Sequence, residues 1–166
     1  MARHIAIIDG HPDPDKARFC HALAAAYSES AQVARHTVRQ ITVAETEIAI
    51  LRSAQEWGNL EPPAAIRQCQ QSIGWADHLV VIYPLWLGYM PAVLKGFFEQ
   101  VFRPGFAIAR EHARPWPGLL TGKSARIIVT MGMPAWLYRW YLLAHSLKSL
   151  ERIFSGSPAS SRSVRH

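Results

Sequence analysis

The sequence predicts an α/β domain whose parallel sheet carries helices on both faces. Two observations predict it. The runs Ile5-Ala6-Ile7-Ile8, Leu79-Val80-Val81-Ile82-Tyr83 and Ala125-Arg126-Ile127-Ile128-Val129-Thr130 read as strands buried on both sides. Segments with helical spacing lie between them, so strands and helices alternate along the chain. A chain of 166 residues, 49% hydrophobic and 18% charged, suits one globular domain with a real core.

The first strand ends in Asp9-Gly10-His11-Pro12-Asp13-Pro14-Asp15, a stretch of turn formers. A helix is expected over residues 17–30, with Phe19, Leu23 and Tyr27 as its apolar stripe. Residues 33–41 alternate roughly, as in a strand nearer the sheet edge. Residues 42–60 carry no firm pattern, although Ile48, Ile50 and Leu51 are expected to pack. Pro62-Pro63 opens a helix reaching about residue 73, and Pro91 opens another over 92–102 with Leu94, Phe97, Phe98 and Val101 inward. A loop punctuated by proline and glycine spans 103–122, and a last helix is expected over 136–153. In such sheets ligands bind beyond the carboxyl ends of the strands. Loops 9–19, 84–90 and 130–138 therefore should lie side by side.

Several classes are disfavoured. The longest apolar runs fall far short of the roughly 20 residues that cross a bilayer. Met1-Ala2-Arg3-His4 leads straight into a strand without a leader's apolar stretch, so a cytoplasmic protein with no membrane insertion is expected. Cys20 and Cys69 form no CxxC pair, and the eight histidines are scattered, so no metal site is expected. The net charge of +6 suits an anionic cofactor but does not mark a nucleic-acid binder. Neither GxGxxG nor GxxxxGK[ST] occurs. The first loop instead offers the amides of a helix N-terminus, with His11, Lys16 and Arg18 nearby, as an anion site. The aromatic loop Pro84-Leu85-Trp86-Leu87-Gly88-Tyr89 can pack a planar heteroaromatic ring.

Longer motifs carry a resemblance. They are Ile8-Asp9-Gly10-His11-Pro12 with Phe19, Ala76-Asp77-His78, Tyr83-Pro84-Leu85-Trp86, Pro91-Ala92-Val93-Leu94-Lys95-Gly96-Phe97, Pro104-Gly105-Phe106 and Gly118-Leu119-Leu120-Thr121-Gly122-Lys123. Over about residues 4–152 the chain resembles the flavodoxin-like NAD(P)H:quinone oxidoreductases, a group that includes flavoprotein partners of potassium efflux systems. The resemblance implies a flavodoxin-like three-layer sandwich that binds FMN, or alternatively FAD, uses NAD(P)H as co-substrate and reduces a quinone-like acceptor.

It also implies a site. His11, Ala17, Arg18, Phe19 and Cys20 would surround the flavin phosphate. Ala17 and Cys20 stand where the family often has serine or asparagine, so backbone amides carry more of the contact. Pro84, Leu85, Trp86, Leu87 and Gly88 would line the isoalloxazine, and Thr130, Met131, Gly132 and Met133 its pyrimidine edge. Tyr138 and His145 resemble the tyrosine and histidine near the ring of some relatives, which could donate a proton or polarise the acceptor. A homodimer is implied, because the second subunit usually completes the acceptor pocket. The resemblance also admits a regulatory subunit of a potassium efflux system. A pure electron carrier is disfavoured by the positive charge.

After residue 153 the chain departs from the family, whose members continue into a fifth strand. Residues 154–166 are rich in serine, lack a strand pattern and read as a disordered tail. Back-translated from residue 153 with chosen GC-rich codons and displaced by two bases, the stretch is compatible with Leu-Leu-Gly-Phe-Ala-Gly-Ile-Lys-Pro-Val-Arg, the segment expected of the family. A frameshift near 152–154 is therefore one expectation, which would leave a sheet of order 2-1-3-4 without its fifth strand and an inactive relative as one outcome.

Overall fold

The computed structural model describes residues 2–58, 61–106 and 122–132. Along the chain these form β1 (His4–Asp9), α1 (Phe19–Val33), β2 (Thr37–Thr42), a 3-10 turn (Val43–Glu45), α2 (Ala54–Gly58), α3 (Ala64–Trp75), β3 (His78–Pro84), α4 (Ala92–Val101) and β4 (Ser124–Thr130). The described strands make one parallel sheet in the order β2-β1-β3-β4. The order expected of the family is thus the order observed. The last helix expected at 136–153, the domain boundary at 153 and the tail at 154–166 lie outside the described residues.

Strand alternation divides the apolar side chains between two faces. Ala6, Ile8, Leu79, Val81 and Tyr83 pack against Ile66 and Ile73 of α3 and Leu94, Phe97 and Val101 of α4. Ile5, Ile7, Val80 and Ile82 face the other way, against Cys20, Ala24 and Ala31 of α1. Full burial of a side chain such as Leu94 or Phe97 contributes roughly 1.5–3 kcal/mol. All four residues expected inside α4 are buried. Pro63 and Pro91 sit as extended caps just before α3 and α4, where a missing amide costs nothing.

Two expectations about α1 and β2 need correction. Phe19 is 66% exposed, and the stripe that meets the sheet is Cys20, Ala24 and Ala31, with Leu23 and Tyr27 at its margin. Small side chains let α1 lie close to the strands. β2 begins at Thr37 rather than 33, because Val33 ends α1 and Arg35 turns the chain at φ 62°. The Ala34 and Arg35 amides bond back to the Ser30 and Gln32 carbonyls, closing the helix before the strand starts.

Residues 46–58 are held by polar contacts more than by burial. Ile48 packs on the core but Ile50 is 73% exposed. Buried Gln100 donates from Nε2 to the Ala49 carbonyl at 2.5 Å, and Arg103 donates to the Glu56 carbonyl at 2.8 Å. Ser53 and Glu56 form a reciprocal cap at the start of α2. The Glu56 amide donates to Ser53 Oγ at 3.1 Å, and the Arg52 amide donates to the Glu56 carboxylate at 3.1 Å.

Candidate functional site

The ends of β1, β3 and β4 are stitched together at the carboxyl edge of the sheet. The Gly10 amide donates to the Ile82 carbonyl at 2.7 Å, and the Leu85 amide donates to the Thr130 carbonyl at 2.8 Å. Cys20 Sγ lies 3.3 Å from Thr130 Oγ1, which ties the first turn of α1 to the end of β4. The His11 and Trp86 rings meet edge to face at 6.3 Å. Loops 9–19 and 84–90 and the first residues after β4 are therefore adjacent, as the topology predicts. Gly10 is needed at this junction, since a Cβ there would lie 2.7 Å from Leu94 Cδ2 and 3.0 Å from the Ile82 oxygen.

The loop from Asp9 to Arg18 is organised by its own carboxylates. Asp13 accepts the Asp15 amide at 3.0 Å and Arg18 Nε at 2.9 Å. The Asp15 amide, with the Arg18 guanidinium, holds the Asp13 carboxyl below the usual carboxylate range. Asp15 accepts the Ala17 amide at 3.0 Å. Lys16 pairs with Glu45 at 2.5 Å, a contact that raises the lysine pKa. Arg18 occupies the cap position of α1 in extended backbone, and no side chain caps the helix there. The first turn of α1 thus presents amides and the positive end of a helix dipole without a built-in acceptor.

Residues 86–89 form a tight reversal. Trp86 and Tyr89 exchange two backbone hydrogen bonds of 2.9 Å, with Leu87 at φ 50° and Gly88 at φ 79°. Two successive positive φ values are those of a type I′ turn. The turn presents Trp86, 50% exposed, and Leu87, fully exposed, beside His11. Pro84 is buried at the end of β3, Leu85 and Gly88 are half-buried, and Thr130 and Met131 are half-buried with Gly132 exposed. Of the residues expected at the site, His11, Ala17, Arg18, Phe19, Cys20, Pro84, Leu85, Trp86, Leu87, Gly88, Thr130, Met131 and Gly132 fall on these three adjoining segments. Phe19 points outward, and Ala17 is exposed with its amide on Asp15. Met133, Tyr138 and His145 lie outside the described residues.

Two residues were not expected. Asp9 and His21 form a buried pair beneath the first loop, with His21 Nδ1 2.5 Å from Asp9 Oδ2. Burial opposes charge on His21, but its hydrogen bonds to the Asp9 carboxylate and the Asp13 carbonyl outweigh that, and its pKa is raised. The available signal was an acidic residue ending a buried strand and a histidine on the inward face of the next helix. Burial pushes the nearby Cys20 thiol up, against a smaller opposite effect of Thr130, so it is not a ready thiolate.

A protein-family model described as flavodoxin-like fold matches residues 3–157. The chain belongs to the flavodoxin-like family. Among its flavodoxin-like relatives, an NAD(P)H oxidoreductase of Haemophilus influenzae whose role is uncharacterized is 34% identical over 85 residues, 51% of this chain and 42% of that protein. An FMN-dependent NADH:quinone oxidoreductase of Ruegeria pomeroyi is 27% identical over 70 residues, 42% of this chain and 34% of that protein. The matched stretches span between 26% and 42% of the curated relatives' own lengths. The solved NAD(P)H:quinone oxidoreductase from Methanothermobacter marburgensis superposes with a TM-score of 0.67 at 22% identity, over 92% of this chain and 74% of that one. At that identity the superposition establishes the flavodoxin-like fold.

Proposed function

We propose that this protein binds FMN at the carboxyl edge of the sheet and acts as an NAD(P)H-dependent oxidoreductase on a quinone-like acceptor. The observation that carries the reading is the convergence of three loops around an α1 N-terminus that no side chain caps. That first turn fits a phosphate, because its amides and dipole favour an anion. The adjoining Trp86-Leu87-Gly88 turn fits a planar ring, since it offers apolar surface and a backbone that a ligand can approach closely. The names and cofactors of the relatives support the same assignment.

Bound there, the flavin would supply two-electron chemistry, accepting hydride from a nicotinamide and passing it on. The chain's own residues bind and orient. The amides of Phe19 and Cys20 and the His11 ring would meet the phosphate. Pro84 to Gly88 would flank the ring system, and the backbone of Thr130 to Met133 would donate to its polar edge, where negative charge is stabilised on reduction. Tyr138 and His145 are proposed to polarise or protonate the acceptor. FMN is preferred to FAD because the relatives named for a flavin carry FMN. A homodimer is the assembly we propose, with the exposed Trp86 and Leu87 close to the second copy.

The deciding experiment is a visible absorbance spectrum of the purified protein before and after incubation with FMN and desalting. A retained flavin band that bleaches with NADH or NADPH, and recovers with a quinone, is the expected result. A protein that stays colourless at millimolar FMN would sink the reading.

A further inference from the structure

We infer that His21 is a positioning residue of the phosphate loop, a doubly protonated imidazolium that braces the loop from beneath and makes anion binding depend on its own charge. The inference rests on the flavin reading for the identity of the anion, but the brace stands on geometry alone.

His21 Nδ1 lies 2.5 Å from Asp9 Oδ2, and Nε2 lies 2.8 Å from the Asp13 carbonyl oxygen. A carbonyl oxygen only accepts, and the same Asp9 carboxylate also accepts the His11 amide at 3.3 Å. A neutral imidazole has one N–H and would leave one of these oxygens facing a lone pair. With Asp9 ionised, the ring satisfies both only when it carries both protons. The side chains of His21 and Asp9 are 7% and 1% exposed, so water does not substitute for either bond.

The ring thereby joins three points of the chain: the last residue of β1, the middle of the loop and the first turn of α1. The arrangement extends one step outward. His11 Nδ1 lies 3.1 Å from the Asp13 amide and 3.3 Å from the Asp13 carbonyl oxygen, so the His11 ring is tied to the same loop residue that His21 holds from beneath. The titratable groups facing His21 are Asp9 from β1, Lys16 and His11 from the loop, and Glu45 from the 3-10 turn, while Asp13 meets it through its backbone carbonyl. Lys16 and Glu45 are paired with each other, and Asp13 with Arg18, which leaves Asp9 as the partner of His21. Loss of the His21 proton would expose an uncompensated carboxylate below the phosphate and release the Asp13 carbonyl. Both changes oppose anion binding.

Two measurements test this. In flavin-free protein labelled with 15N-histidine, both ring nitrogens of His21 are expected to be protonated at pH 6.5, the ordinary histidine value, where an unperturbed imidazole is half neutral. A single protonated nitrogen at that pH overturns the brace, whatever the protein binds. In the second, the FMN dissociation constant is followed with pH, with riboflavin as the ligand that lacks the phosphate. FMN affinity is expected to fall as pH rises through the His21 titration while riboflavin affinity stays flat. H21N is expected to weaken FMN by about tenfold, the scale of one charge-assisted hydrogen bond, and to remove the pH dependence. H21Q, whose longer side chain carries its amide to about the position of Nε2 and can still donate to the Asp13 carbonyl, restores part of the FMN affinity if the brace acts by positioning. Equal pH profiles for wild type and H21N overturn the proposal. A wild type that binds neither ligand sinks the flavin reading, and the ring protonation then decides the brace by itself.

Discussion

The two ends of the interface between α1 and the sheet hold histidines in opposite electrostatic settings. At the carboxyl end His21 lies against Asp9 and an accepting carbonyl, which raise its pKa over the opposing effect of burial. At the amino end His78 is half-buried, and burial together with the charges of Arg126, Arg3 and His36 lowers its pKa. His78 contacts are neutral ones, Ser124 Oγ at 2.7 Å and Tyr27 Oη at 3.4 Å. The surroundings of the same residue type on the same face thus favour its charged form at one end and its neutral form at the other. The difference separates the end that carries the uncapped first turn of α1 and its loop from the end closed by ordinary packing.

The largest test of this contrast removes a carboxylate at each end. Asp9→Ala leaves His21 buried without its partner and is expected to cost about 3–5 kcal/mol in urea denaturation. Asp77→Ala breaks a pair with His4 whose side chains are 49% and 59% exposed, and is expected to cost no more than about 1 kcal/mol. Equal losses would mean that the buried pair contributes no more than the surface one.

Proton linkage sharpens the comparison. The folded pKa of His21 is raised above the ordinary 6.5, so its stabilisation is complete below that value and is lost as pH rises through the folded pKa. The folded pKa of His78 is lowered from 6.5, so its neutral form is favoured and stability is lost as pH falls below that value toward the folded pKa. Melting temperature against pH is therefore expected to decline on both sides. H21N should flatten the alkaline side alone, and H78N the acid side alone.

The smallest expected effect lies away from both ends. Ser53→Ala removes the cap of α2 and is expected to cost about 1 kcal/mol without altering either histidine titration. A shift in the His21 titration on that substitution would show that the 46–58 segment couples to the loop.

Much of this architecture could be read directly. Buried apolar runs identify β1, β3 and β4, and the spacing of Leu94, Phe97, Phe98 and Val101 gives the inward face of α4. The failures have local causes. Hydrophobicity alone points Phe19 inward, but the inward positions go to Cys20, Ala24 and Ala31, whose size permits close approach to the sheet. Residues 46–58 were opaque because Gln100 and Arg103, far along the chain, anchor them through backbone carbonyls. Within that segment the local pattern Ser53-Ala54-Gln55-Glu56 does encode the cap of α2.

By itself the sequence determined the alternation of strands and helices, and hence the adjacency of loops at one edge of a parallel sheet, because periodicity and turn residues are local properties. It also held the motifs that relate the chain to the flavodoxin-like family. Only the tertiary structure decided which polar residues act together. Asp9 and His21 stand 12 positions apart, and Cys20 and Thr130 stand 110 apart. Whether such side chains meet, and what charge they then carry, depends on burial and on neighbours supplied by other elements. No local pattern encodes either.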